Sequence, residues 1–349
     1  MMNIQLFLFA LFSVLAPQFG WAHVISDPSP HKPWPSNDDK MVFVPFCFAD
    51  EFTKSKLNDI FSGAWRRWYN AIGNAGPGQG HRLGGFSEIV NDKRESVWCF
   101  TDSQNKVWNS AVRTDALVVN MNQGGYKSSS LTGYRPNDCT PGRHQMNLGW
   151  FDSPDFDVQL ATRTATHEMG HVLGMWHEHS RRDRDSYVRF QCDQLQGYDV
   201  AVALIGNFPE ITIDALCHSQ LLSRDTFWQS IHFAPHDFST DFFWERDHRD
   251  QNGNPDGLLH TYYVSHNKEY DVNSIMHYLS STANKADVGG SIPRTVYNSP
   301  LVKWKNGGER YTPPEKVTEE NAELIPDNMA AIPSKGDYEG IKAMYPWQE

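Results

Sequence analysis

Residues 167–178 read His-Glu-Met-Gly-His-Val-Leu-Gly-Met-Trp-His-Glu, and this run constrains the fold more than any other feature of the chain. Four residues of α-helix turn a side chain by about 400°, so His167 and His171 project from nearly one face, a turn apart. Two imidazoles so placed can grip one metal ion. Glu168 adjoins that position without being a ligand, where it can take a proton from a water molecule. A continued helix would carry His177 roughly 9 Å along the axis from His171, too far to share the metal. Gly174 removes the obstacle, because glycine readily adopts the left-handed conformation that ends a helix and turns the chain. His177 then supplies a third nitrogen and a fourth coordination position stays open. A structural zinc site usually closes with four protein ligands, often cysteines, and needs no free glutamate beside it. An ordinary amphipathic helix with a satisfied histidine pair would match all five positions with a chance on the order of one in ten thousand.

Downstream stands Ser274-Ile275-Met276-His277-Tyr278, and after the third histidine come Glu178 and then Arg181-Arg182-Asp183-Arg184-Asp185. The three-histidine run with a later methionine turn is the metzincin pattern. The glutamate after the third histidine, the Arg-x-Asp-Arg-Asp stretch and Ser-x-Met-His-Tyr together resemble the astacin family of metzincin peptidases. The resemblance is tight over residues 162–188 and 273–279 and looser over the rest of roughly 40–349. It implies an α+β fold: an N-terminal lobe of mixed twisted sheet with two long helices, the second carrying the zinc motif. An irregular C-terminal lobe with the Met-turn and a terminal helix would follow. It also implies one Zn²⁺ per chain on His167, His171 and His177, with Glu168 as general base and then general acid. Tyr278 would be an extra metal ligand that swings away to hydrogen-bond the oxyanion, and Met276 an apolar floor beneath the histidines. Glu178 would meet the new N-terminus once a propeptide is cut, while His179 and His277 read as structural. The function implied is a secreted zinc endopeptidase acting on protein or peptide bound in extended form. Two alternatives stay open, a zinc-binding module without proteolytic activity and a metallohydrolase of non-peptide substrates. The intact Glu168 speaks against the first and the Met-turn against the second.

The rest of the chain is consistent with one sizeable exported domain. Its 349 residues are 39% hydrophobic and 13% aromatic, enough for a well-buried core. A formal charge of −11 and the lack of a Lys/Arg block argue against nucleic-acid or membrane-surface partners, and a monomer is expected. Residues 4–16 form an apolar run too short to span a membrane comfortably, and Gly20 and Ala22 suit a signal cleavage after Ala22. The expected organisation is therefore a signal peptide over 1–22, a short N-terminal or pro segment over 23–40, and a catalytic domain over 41–349. An insertion covers roughly 192–266 of that domain. Asp27, Asp38 and Asp39 lack the Phe-x-Gly-Asp setting of the family's inhibitory propeptide, so a short or absent inhibitory segment is expected.

Met41–Phe48 reads as a strand, with Pro45 pointing to an edge position or a bulge. Leu57, Ile60, Phe61, Ala64, Trp65, Trp68 and Ile72 recur at helical spacing, and Gly73 ends that helix. Gly73–Gly85 reads as a flexible surface connection, Ala116–Met121 and His144–Trp150 as strands, and Tyr126–Tyr134 as an edge that could hold extended substrate. Helices are expected over Ala161–Leu173 and Lys335–Met344. Five cysteines suit an oxidising compartment. Cys192–Cys217 is the first expected bridge and Cys99–Cys139 the second, leaving Cys47 as a buried free thiol.

Overall fold

The computed structural model describes residues 23–25, 31–102, 104, 106–240, 244–245, 260–261, 264–265, 269–287, 292–328 and 330–349. The expected signal segment, and most of 241–268 within the expected insertion, lie outside these residues. A two-residue strand, β1 (Val24–Ile25), pairs with Val264–Ser265 apart from the main sheet. In the main sheet, β2 (Val42–Phe48) alternates in burial at its start and is wholly buried from Phe46, as a strand covered on both faces must be. It is followed by α1 (Glu51–Ile72), β3 (Leu83–Glu88), β4 (Leu117–Gln123), β5 (Ser129–Ser130) and β6 (His144–Trp150). The five strands lie in the order β3-β2-β4-β6-β5, the first four mutually parallel and β5 antiparallel along β6. This is the mixed sheet of the expected α+β fold, with β5 as an edge inside the segment read for that role.

Both long helices begin and end where their side chains dictate. Asp50 accepts the Thr53 N–H at the start of α1, and Gly73 ends it with φ 73°. The apolar stripe from Leu57 to Ile72 is buried, and Trp68 Nε1–H donates to the Thr166 carbonyl of α2 (Val158–Leu173) at 2.8 Å. Asp157 caps α2 through the N–H groups of Gln159 and Leu160. Beyond α2 the chain becomes short helices and turns around a second apolar core that includes Leu195, Leu216, Trp228, Phe233 and Phe238. A small antiparallel sheet joins β7 (Val188–Phe190), Leu301–Trp304 and Ala322–Leu324. Among the described residues no helix is long and apolar enough to cross a membrane.

Three expectations need correction. Pro45 does not mark an edge, because β2 lies between β3 and β4. The missing N–H is tolerated because pairing with β4 starts only at Phe46, and the register toward β3 shifts between Val42 and Phe43. The glycine-rich connection is not free loop throughout: His81 is fully buried, with its ring 3.0 Å from the Ile72 carbonyl, and Leu83 already belongs to β3. Cys47 bonds to Cys99, and it is Cys139 that stays free and exposed. The cause is a backbone zipper: Ile89 N–H donates to Phe46 O, Val97 N–H to Ile89 O and Cys99 N–H to Phe48 O, laying Cys99 beside Cys47. The Cys192–Cys217 bridge is formed as expected.

The final helix, Lys335–Met344, does more than close the chain. Its first turn is a capping box between Ser334 and Asp337. Fully buried, Asp337 also accepts from Ser274 Oγ at 2.6 Å and from the Ile275 N–H at 2.8 Å. Removing that acceptor strands several buried donors, so Asp337→Ala should cost about 2–4 kcal/mol in denaturant unfolding. Burial pushes the Asp337 carboxyl up to about 6 from 3.8, against the lowering effect of its three donors. The folded state therefore holds the extra proton between those values, and this group's contribution falls as pH rises through them. The stability deficit of Asp337→Asn should shrink from about pH 4 to about pH 6, and a deficit that widens there would contradict the assignment.

Candidate metal centre and its surroundings

The end of α2 brings the three histidines together. Gly174 adopts φ 107°, in the left-handed region, and its N–H returns to the last turn at Gly170 O and His171 O. The chain then folds back so that the ligand atoms of His167, His171 and His177 lie within 4.8 Å of one another. His177 Nε2 is 3.1 Å from His167 Nε2 and 3.0 Å from His171 Nε2. His167 Nδ1 lies 2.8 Å from the Ile275 carbonyl, and His171 Nδ1 lies 2.8 Å from the Met175 carbonyl. A carbonyl only accepts, so each Nδ1 carries the proton and each Nε2 presents a lone pair. One imidazole N–H on His177 could satisfy only one of the two facing lone pairs. A cation satisfies all three, and nitrogens bound at about 2.0–2.1 Å on a tetrahedral zinc stand roughly 3.3 Å apart. The donor set fits such an ion.

Burial holds all three imidazoles below the ordinary histidine range, His171 at about 4 and the other two well below it, with neighbouring histidines adding to the effect on those two. At neutral pH they are uncharged, the form that ligates a metal. Glu168 is buried beside them, and its carboxyl is pushed up to about 7, chiefly by burial. Ser130 of β5 opposes that shift, with its Oγ donating to Glu168 Oε2 at 2.6 Å. The edge strand is thus tied to the carboxylate. The segment expected to hold substrate contains this residue, but the serine itself gives no sequence signal.

Met276 is buried directly against Gly170, where an added Cβ would stand 2.3 Å from its sulfur. This contact explains the glycine inside the His-Glu-Met-Gly-His run, since any side chain there would displace the methionine. The Tyr278 ring lies 4.5 Å from that of His177 and stacks on His179 at 4.1 Å and 25°. Burial holds its hydroxyl well above the ordinary tyrosine value, with the charges of Asp237 and Glu168 adding, so it remains a donor. His179 is fixed in orientation: its Nδ1 accepts the Tyr278 N–H at 3.2 Å and its Nε2–H donates to the Asp237 carbonyl at 2.9 Å. His277 pairs through Nε2 with the Tyr270 hydroxyl at 2.7 Å.

Glu178 faces away from this cluster into a buried polar network. Its Oε1 accepts from Arg181 Nη1 at 2.8 Å and from the Asp271 N–H at 3.0 Å, while Oε2 has no partner among the described residues. Burial pushes its carboxyl up to about 7 against the lowering pull of Arg181. Residues 23–25 run along the loop that carries the third histidine. The Trp176 N–H donates to His23 O at 2.6 Å, the Ile25 N–H to Gly174 O at 3.0 Å, and His23 Nδ1 lies 2.8 Å from His177 O.

Residues 159–208 match the profile of the peptidase family described as Astacin. The zinc metalloproteinase nas-37 of Caenorhabditis elegans is 30% identical over 172 residues, which cover 44% of this chain and 20% of that protein. An astacin-like metalloendopeptidase of Mus musculus is 51% identical over 35 residues, 10% of this chain and 8% of that one. The chain thus spans only a small part of the length of these curated relatives. Among solved structures, high choriolytic enzyme 1, a hatching enzyme zinc-protease of Oryzias latipes, aligns with a TM-score of 0.43 and 17% identity, covering 89% of this chain and 93% of that one.

The Gly170 contact makes a direct test of the packing. Gly170→Ala should lower stability by about 1–3 kcal/mol, because the added methyl overpacks a filled site. A variant as stable as the parent in urea titration would mean that the Met276 sulfur does not rest there.

Proposed function

We propose that this chain is a metzincin peptidase of the astacin type, a secreted zinc endopeptidase that cuts protein or peptide substrates bound in extended form. The observation that carries the reading is the convergence of three neutral imidazole lone pairs beside a buried glutamate. In this reading residues 1–22 are a signal peptide, 23–40 a short N-terminal segment and 41–349 the catalytic domain. One Zn²⁺, held by His167, His171 and His177, would polarise the scissile carbonyl and bring the pKa of a water molecule toward neutrality.

The chain's own groups then divide the remaining work. Glu168 accepts the proton of the attacking water and returns it to the departing amine. Ser130 holds the carboxylate oriented while it does so. Tyr278, kept protonated by its burial, would donate to the oxyanion and, with no substrate bound, would serve as an additional ligand of the metal. Met276 supports the imidazoles from below. The outer edge of β5 is unpaired among the described residues and offers backbone donors and acceptors to an extended peptide, which gives affinity with little demand on sequence. Glu178 Oε2 is the natural partner for an α-amino group freed by processing. The packing of residues 23–25 on the third-histidine loop supports a short N-terminal segment that stays with the domain.

Zinc-loaded protein should cleave an unfolded protein substrate and lose that activity to a chelator. Glu168→Gln should keep its zinc and lose about 10²–10⁴-fold in turnover; a metal-replete variant with undiminished activity would remove Glu168 from its role. Ser130→Ala should lower kcat about three- to tenfold with little change in zinc content. N-terminal sequencing of secreted protein should find a start close to residue 23, and a start well beyond Met41 would rule out the short segment.

A further inference from the structure

We propose that Asp237, carried by the insertion, selects a basic side chain of the substrate next to the bond being cut. The proposal rests on the peptidase reading above and adds a charge preference to it. The turn Pro235–Phe238 is fastened to the metal centre at three points. The Asp237 carbonyl accepts His179 Nε2–H at 2.9 Å, and the Phe238 carbonyl accepts Arg184 Nη1–H. The buried Phe238 ring packs against Tyr278 at 5.3 Å and parallel to Phe190 at 5.1 Å. The backbone of Asp237 is therefore fixed beside Tyr278 and His179.

Its side chain, by contrast, stays open to solvent, 46% exposed. Lys127, just before β5, acts on the neighbouring His236. The turn is thus pinned beside the metal centre and feels the charge that precedes the edge strand. His236 Nε2 lies 3.4 Å from Asp237 Oδ1, but burial lowers the affinity of that imidazole for a proton, so it does not neutralise the carboxylate at pH 7. The carboxylate charge is accordingly available to substrate. A lysine or arginine side chain placed there gains attraction, and a glutamate is repelled.

The test separates binding from catalysis. Full-length secreted protein carrying Glu168→Ala and loaded with zinc is titrated into fluorescent, otherwise neutral peptides bearing one lysine, norleucine or glutamate at each position in turn. At a position flanking the bond that the Glu168-containing enzyme cuts, lysine should bind about fivefold more tightly than norleucine, with glutamate weaker still. Asp237→Asn in the same background should erase the lysine–glutamate difference, and Asp237→Lys should reverse it. Equal binding of the three peptides at every position would overturn the proposal, as would a lysine preference that survives Asp237→Asn. Selective, Asp237-dependent binding by a protein whose Glu168-containing form cuts nothing would sustain the charge site and defeat the peptidase reading instead.

Discussion

The left-handed turn at Gly174 governs more of this molecule than the single helix it ends. With φ at 107° the residue releases the chain from α2, and Met175 then offers the carbonyl that fixes the His171 ring. The same bend lets residues 23–25 lie along the loop and brings His177 back to its two partners. Space at the turn is as restricted as its conformation. A Cβ on Gly174 would stand 2.9 Å from the Met344 sulfur and 3.0 Å from Ile25 Cδ1. The segment around Ile25, the last helix and the loop with the third histidine therefore converge on one position that only glycine fills without strain.

His167 and His171 are oriented by different parts of the chain, which makes the centre a product of the whole fold. His167 is held by Ile275, 108 residues away, and Ile275 is in turn held by Asp337 at the start of the final helix. Met276 presses on Gly170 from the same turn. His171 depends on the Gly174 bend. These links explain why a buried acceptor at Asp337 is kept despite its desolvation: it joins the capping box of the final helix to the methionine turn. A group that serves two elements fixes their spacing to within a hydrogen bond, which apolar packing alone does not do.

Local chemistry is readable from the sequence, and long-range contacts are not. The period of α1, its Gly73 terminus, the span His144–Trp150 and the final helix all follow from spacing and caps, and the structure reproduces them. The three histidines and Gly174 carry their geometry in the same way. Of the two readings Pro45 allows, the edge fails and the strand instead carries a register shift toward β3 near its start, while its neighbour on the other side begins only at Phe46. Cys47 is misread because its partner is chosen by a backbone zipper through Ile89 and Val97 that leaves no periodic trace. Ser130, Asp237 and Asp337 act through neighbours brought from elsewhere in the chain, and residues of these types are common on surfaces and in turns.

The arginines that follow the third histidine act as scaffolding. Arg181 is fully buried between Glu178 and Asp183, and it also donates to the Glu269 carbonyl. Such an ion cluster contributes little net stability after its charges are removed from water, so its value lies in holding one geometry rather than in strength. Arg184 directs one nitrogen to Asp185 and another to the Phe238 carbonyl. The stretch therefore anchors the two neighbours of the centre, Glu178 on one side and the Pro235–Phe238 turn on the other. A turn attached through backbone carbonyls can change its side chains without loosening the attachment. The Asp237 carbonyl is committed to His179 while its carboxylate stays half exposed, so the anchoring and the charge of this residue are separate.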